Sequence, residues 1–223
     1  MFKHKLYQKI IMKYFFLLTV PFLVIILNFF FKRFSLLLSY TGQSHQRFAE
    51  KDTVPMSGGI ILLLSLLFYL NNFINDLHIY FILIFLIGFF ADVQLILSPV
   101  KRFILQILIL IIFVFTQDIQ ITNTRFLLLD QILENKFFSY FFVAFCMMIL
   151  INGTNFIDGL NTLVLGYYLI ISIIIIKSEI LLGINVDNLD FTFWTIILSI
   201  LYFFNLFKKL FLGDGGAYLL GFL

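Results

Sequence analysis

The sequence predicts an all-α fold: a polytopic helical bundle embedded in a membrane. Three observations predict it. The 223-residue chain is 62% hydrophobic and only 12% charged. Its mean hydropathy of +1.07 lies far above that of soluble globular domains. Its charges are spaced so that charge-free stretches remain at 14–31, 53–75, 77–91, 103–117, 137–157, 159–176 and 191–207. Most of these match the about 20 residues a helix needs to cross a hydrocarbon core. The longest polar stretches, 32–57 and 118–136, leave no room for a soluble domain, so 1–223 reads as one integral membrane domain.

Taken in order, the first stretch follows Lys3, Lys5, Lys9 and Lys13, as a signal peptide would. Phe29-Phe30-Phe31-Lys32-Arg33 offers no small-residue cleavage site, so it reads as an uncleaved anchor. Residues 1–13 are expected in the interface, with their lysines toward headgroups. The third and fourth stretches are short, and each borrows a polar end residue. The fifth holds Cys146, the single cysteine, which excludes a disulfide framework and reads as a small packing hydrophobe. An eighth span begins near Ala217, giving seven spans plus the start of another. The net charge of +3, with no basic run, excludes a nucleic-acid partner.

Four polar islands punctuate this pattern: Val54-Pro55-Met56-Ser57-Gly58-Gly59, Gly88-Phe89-Phe90-Ala91-Asp92, Asn152-Gly153-Thr154-Asn155-Phe156-Ile157-Asp158-Gly159 and Phe211-Leu212-Gly213-Asp214-Gly215-Gly216. Successive islands are separated by an even number of spans, so all four fall on one face. Ionisable groups at span ends are costly and mark function by default. Lysine and arginine number eight on the island side and seven on the other, or eight against three without the N-terminal lysines. The positive-inside rule favours cytoplasmic islands without the N-terminal lysines and does not decide with them; cytoplasmic islands are the orientation expected.

Each island has a chemical and a structural reading. Asn152, Asn155 and Asp158 share one arc of a helix. They suit a metal-bound phosphate, a sugar or a nucleobase, and equally a capped polar helix end. Asp214 sits among glycines that let backbone approach phosphate, or that simply form a tight turn. Gly58 and Gly59 fit substrate or helix packing. Asp92 with Lys101 and Arg102 suits a cation plus a phosphate, or an interfacial loop with snorkelling cations. Asn205 is a helix-end cap or a substrate contact. His45 lies in an island-side loop, whereas His4 and His78 lie on the far side, and no histidine has a partner at metal-ligand spacing.

In their order the islands resemble the polyprenyl-phosphate N-acetylhexosamine-1-phosphate transferases of glycosyltransferase family 4. These include the enzyme forming lipid I of peptidoglycan and those starting O-antigen and teichoic acid synthesis. The family shows Pro-x-x-Gly-Gly, Gly-x-x-Asp-Asp, Asn-x-x-Asn-x-x-Asp-Gly and Phe-x-Gly-Asp-x-Gly. The resemblance implies transfer of N-acetylhexosamine 1-phosphate from a UDP-sugar to polyprenyl (undecaprenyl) phosphate, with release of UMP, to initiate cell-envelope glycan synthesis. It implies Mg²⁺ held by Asp214 and Asp158, and Asp92 engaging or deprotonating the lipid phosphate. The matching motifs imply substrate contacts from Asn152, Asn155, Gly58, Gly59 and Gly215, and the reading of the residues adds Lys101, Arg102 and Asn205 as candidates. The resemblance places the protein in the bacterial inner membrane, and a homodimer is compatible with it. Three departures stand beside it. Ala91 occupies one acidic position, Asn161 replaces a later aspartate, and the family's further C-terminal spans and histidine-containing loop are expected to be missing. The alternative is a truncated or degenerate, non-catalytic membrane relative.

Overall fold

A computed structural model of the protein describes residues 2–40, 53–70, 77–121, 123–182 and 191–223. His45 lies outside the described residues. The elements run α1 (Phe2–Phe34), β1 (Leu38–Tyr40), β2 (Thr53–Pro55), α2 (Gly58–Leu70), α3 (Leu77–Asp92), α4 (Pro99–Thr116), α5 (Leu127–Leu133), α6 (Lys136–Ile157), α7 (Leu163–Leu182), α8 (Phe191–Leu206) and α9 (Gly213–Phe222). The expected all-α character holds for every long element. Met12–Phe34, Pro99–Thr116 and Lys136–Ile157 are long and apolar enough to cross a membrane. Gly58–Tyr69, Leu77–Asp92, Leu163–Ser178 and Phe191–Leu206 are shorter apolar helices. Outward faces carry Phe15, Leu18, Phe22, Phe141, Phe145, Ile170 and Ile174, all exposed. Such surfaces suit lipid tails, where the helices satisfy their own backbone.

Local sequence sets the boundaries. Pro99 opens α4, where its missing N–H costs nothing. The Asn135 side chain caps α6 by accepting from Phe137 N–H at 3.0 Å. α1 is one continuous helix from Phe2 to Phe34.

Two elements go beyond the sequence reading. β1 and β2 form a small antiparallel ladder in which Leu38 faces Pro55. Its reason is the chain it clamps: Phe211 N–H donates to Pro55 O, and the N–H groups of Gly58 and Gly59 donate to the carbonyls of Phe211 and Leu212. On the opposite side of the bundle, the short α5 follows a turn in which the Asp130 carboxylate accepts from both the backbone and the hydroxyl of Thr124.

At the centre lies α9. Except for Asp214, every residue from Gly213 to Phe222 is buried. It packs against α2, α3 and α6. The fit needs glycine on both sides of one contact, since a Cβ on Gly59 would stand 2.5 Å from Gly216 N. Around it Ile61, Leu62, Leu66, Ile84, Ile151, Ile197 and Leu201 form the apolar core.

Gly59→Leu should therefore drive α2 off α9 and lower the Tm in detergent by roughly 5–10 °C. Nothing lies within 4 Å of a Cβ placed on Gly153, so Gly153→Ala should stay within roughly 2 °C of wild type. Equal losses in the two variants would contradict this packing.

Candidate active site

The site is built where α9 begins. Gly213 has φ of 72°, a left-handed conformation that glycine adopts without strain. A Cβ there would also stand 2.6 Å from Asp92 Oδ2. The turn exposes the first N–H groups of α9, which have no intrahelical acceptor. Leu212, at the N-cap position, supplies no side-chain bond. Asp92, at the end of α3, does so from outside. Asp214 N–H donates to Asp92 Oδ1 at 2.8 Å, and Gly215 N–H donates to Asp92 Oδ2 at 3.1 Å. A carboxylate facing a helix N-terminus is also favoured by the helix dipole.

This capping turns the Asp214 side chain toward two partners. Arg102 Nη1 donates to Asp214 Oδ2 at 2.7 Å. Asn155 Nδ2 donates to Asp214 Oδ1 at 2.8 Å. Arg102 lies in the first turn of α4, the unfavourable end of a helix dipole for a cation, and Asp214 offsets that. The Arg102 and Asp214 side chains are 22% and 31% exposed. Solvent screening therefore leaves the pair worth about 1 kcal/mol at most, and its larger effect is alignment.

Asp158 caps the C-terminus of α6 through its backbone. Its carboxylate has no hydrogen-bond or ion-pair partner among the described residues, and it feels the negative charges of Asp214 and Asp92. Three carboxylates from three elements, one arginine and one carboxamide thus share a single face.

Other expected residues fall elsewhere. Gly58 and Gly59 are buried with both N–H groups engaged, so they serve packing and present no donor to a substrate. Gly215 N–H is likewise taken, by Asp92. Asn205 is 4% exposed. Its Oδ1 accepts from Thr162 N–H at 2.6 Å and its Nδ2 donates to Leu210 O at 2.8 Å. It ties the α6–α7 turn to the loop before α9. Asn152 turns toward α4, donating to Gln106 Oε1 at 3.1 Å and Met148 O at 3.0 Å. Lys101 is exposed beside Arg102.

Gln106 and Tyr218 are the residues sequence reasoning missed. Gln106 is fully buried one turn along α4 from Arg102, and the Tyr218 hydroxyl approaches both. The available signal was a lone amide inside an apolar span, spaced four residues from an arginine.

Among the described residues, no three Asp, Glu, His or Cys side chains close into a metal cage. Mg²⁺ needs less: one or two carboxylates, with water and substrate phosphate completing an octahedron. Asp158, whose carboxylate has no side-chain partner among the described residues, and Asp214 would be the hard-oxygen donors of such a site.

Apolar helices thus carry convergent carboxylates and an arginine at one face. Residues 76–223 match the family model for Glycosyl transferase family 4. The chain belongs to that family, and it is in kind a membrane glycosyl-1-phosphate transferase. No curated protein matches the chain significantly.

Losing the Asp92 cap removes two charge-assisted hydrogen bonds at a helix end. Asp92→Ala is expected to cost about 2 kcal/mol, a Tm fall of roughly 5 °C. Asp92→Asn, which keeps one acceptor, should lose about half as much. An alanine variant as stable as wild type would show that Asp92 does not hold α9.

Proposed function

We propose that the protein transfers N-acetylhexosamine 1-phosphate from a UDP-sugar to polyprenyl phosphate on the cytoplasmic face of the bacterial inner membrane. Seven spans and the start of an eighth would carry the site, and the lipid product would initiate cell-envelope polysaccharide. The observation that carries this reading is the convergence of Arg102 and Asn155 on Asp214, with Asp158 beside it.

In the reaction an oxygen of the lipid phosphate attacks the β-phosphorus of the UDP-sugar. A new phosphorus–oxygen bond forms, the bond to the bridging oxygen breaks, and UMP leaves with that oxygen. All the reacting groups are anionic, so charge is the main barrier. Arg102 is the cation placed to draw a phosphate to the site, with Lys101 on the adjacent exposed position. Asn155 orients the Asp214 carboxylate by holding one of its oxygens. Asp214 and Asp158 would hold Mg²⁺. When bound, that ion offsets charge on the diphosphate by several kcal/mol.

Asp92 acts here by position. Both of its oxygens already accept backbone N–H groups. A general base is not required, because a phosphate monoester with a second pKa near 6 is largely ionised at neutral pH. Alanine at position 91 is compatible with turnover for the same reason.

The test is UMP release from a panel of UDP-N-acetylhexosamines by detergent-purified protein with undecaprenyl phosphate and Mg²⁺. Release should require the lipid, vanish on chelation, and fall at least about a hundredfold in Asp214→Ala. Lipid-independent release, or full activity in Asp214→Ala, would refute the assignment. A folded but silent wild type would favour the non-catalytic alternative suggested by Ala91 and Asn161.

A further inference from the structure

Beneath the Asp214 cluster the same three helices carry a second layer of polar side chains. Arg102 and Gln106 are four residues apart on α4, Asp214 and Tyr218 four apart on α9, and Asn155 and Asn152 three apart on α6. Each pair therefore shares one face of its helix. Arg102, Asp214 and Asn155 make the outer layer, joined by the bonds of 2.7 and 2.8 Å to the Asp214 carboxylate. Gln106, Tyr218 and Asn152 stand about one turn deeper.

The two layers meet at Arg102. Gln106 is fully buried, and Tyr218 is 2% exposed. Asn152 Nδ2 donates to Gln106 Oε1 at 3.1 Å, which fixes the amide and directs its Nε2 away from α6. That Nε2 is buried and has no hydrogen-bond partner among the described residues. Arg102 Nε is likewise buried without a partner among them, while Nη1 reaches Asp214. The Tyr218 hydroxyl comes near both the Arg102 and the Gln106 side chains.

Packing alone does not explain these polar groups. An unmet donor on a buried amide is unfavourable by about 1–3 kcal/mol, and an apolar side chain of the same shape would remove that term. Polar groups inside a membrane bundle mark function by default. The guanidinium supplies the reason. Its bond to a partly exposed carboxylate fixes one nitrogen but not the plane of the group. Phosphate is recognised by that planar fork, so the plane matters. Support at Nε, from below, is what sets it.

We propose that Gln106 and Tyr218 are positioning residues that hold the inner edge of the Arg102 guanidinium, so that its outer edge is presented to a substrate phosphate. Asn152 sets the Gln106 amide for that task. All three act through Arg102 rather than on the substrate. The proposal rests on the transferase reading for its substrate, whereas the holding of Arg102 is measured without turnover.

The experiment compares Gln106→Met and Tyr218→Phe, each alone and combined with Arg102→Lys, in UMP release and in Tm. Methionine and phenylalanine keep the buried shape and remove the polar atoms. Each single variant should lower kcat roughly tenfold or more, with KM for the UDP-sugar within about twofold and the Tm within about 2 °C. Lysine keeps the charge of Arg102 but has no Nε–H edge. In that background the same substitutions should lower kcat by less than about twofold. Wild-type kcat in both variants would overturn the proposal, as would a loss that persists beside the lysine or that follows a fall in Tm. NMR of the Arg102 Nε–H, assigned by its loss in Arg102→Lys, should show proton exchange about tenfold faster in both variants than in the wild type. A wild type silent in UMP release, with exchange quickened by both substitutions, would count against transfer and support the holding of Arg102. Exchange unchanged by either substitution would overturn the proposal whatever the turnover.

Discussion

The architecture rests on the two hydrogen bonds that the first turn of α9 donates to Asp92. The first turn of a helix carries N–H groups with no intrahelical acceptor. Here α9 is enclosed by α2, α3 and α6, where an unsatisfied N–H would be costly. The Asp92 carboxylate resolves that cost from outside the helix. Two neighbouring glycines follow from the same contact. A side chain on Gly213 would strike the Asp92 carboxylate, and one on Gly88 would strike the Asp214 carbonyl at 2.5 Å. The second and fourth islands are thus the two halves of one joint.

The joint also distributes charge. Placing the Asp92 carboxylate at the start of α9 brings it near Asp214, and Asp158 joins them from α6. Arg102 offsets part of this negative charge directly. Under the proposed function a divalent cation would offset the remainder, with Asp158 and Asp214 as its carboxylate ligands. Carboxylates and an arginine meeting on one face are what the proposed transfer between two phosphorylated substrates would use.

Much of this was legible in the sequence. Charge-free stretches located the long helices, because burying a charge in hydrocarbon is costly enough to police their boundaries. Counting spans placed the four islands together, and hydrogen bonds among Asp92, Arg102, Asn155 and Asp214 join three of them. What stayed hidden depends on three-dimensional pairing. Gly58, Gly59, Gly215 and Asn205 looked like substrate contacts because small and carboxamide residues serve both recognition and packing. Only their bonded partners distinguish the two. The Asp92 cap reaches across 122 residues, so no local capping pattern announces it. The β1–β2 ladder was hidden because Thr53, Val54 and Pro55 adjoin an apolar stretch and carry no turn signal of their own. Gln106 was concealed by treating a span as uniformly apolar.

The most direct test of the central claim is residue-resolved amide hydrogen exchange of the purified protein, compared with Asp92→Ala. The account predicts that the amides of Asp214 and Gly215 are protected in the wild type and exchange rapidly in the variant. The amides in the middle of α4 and α6 should remain protected in both. Protection of Asp214 and Gly215 unchanged by the substitution would mean that something other than Asp92 holds α9, and the site built on that joint would have to be redrawn.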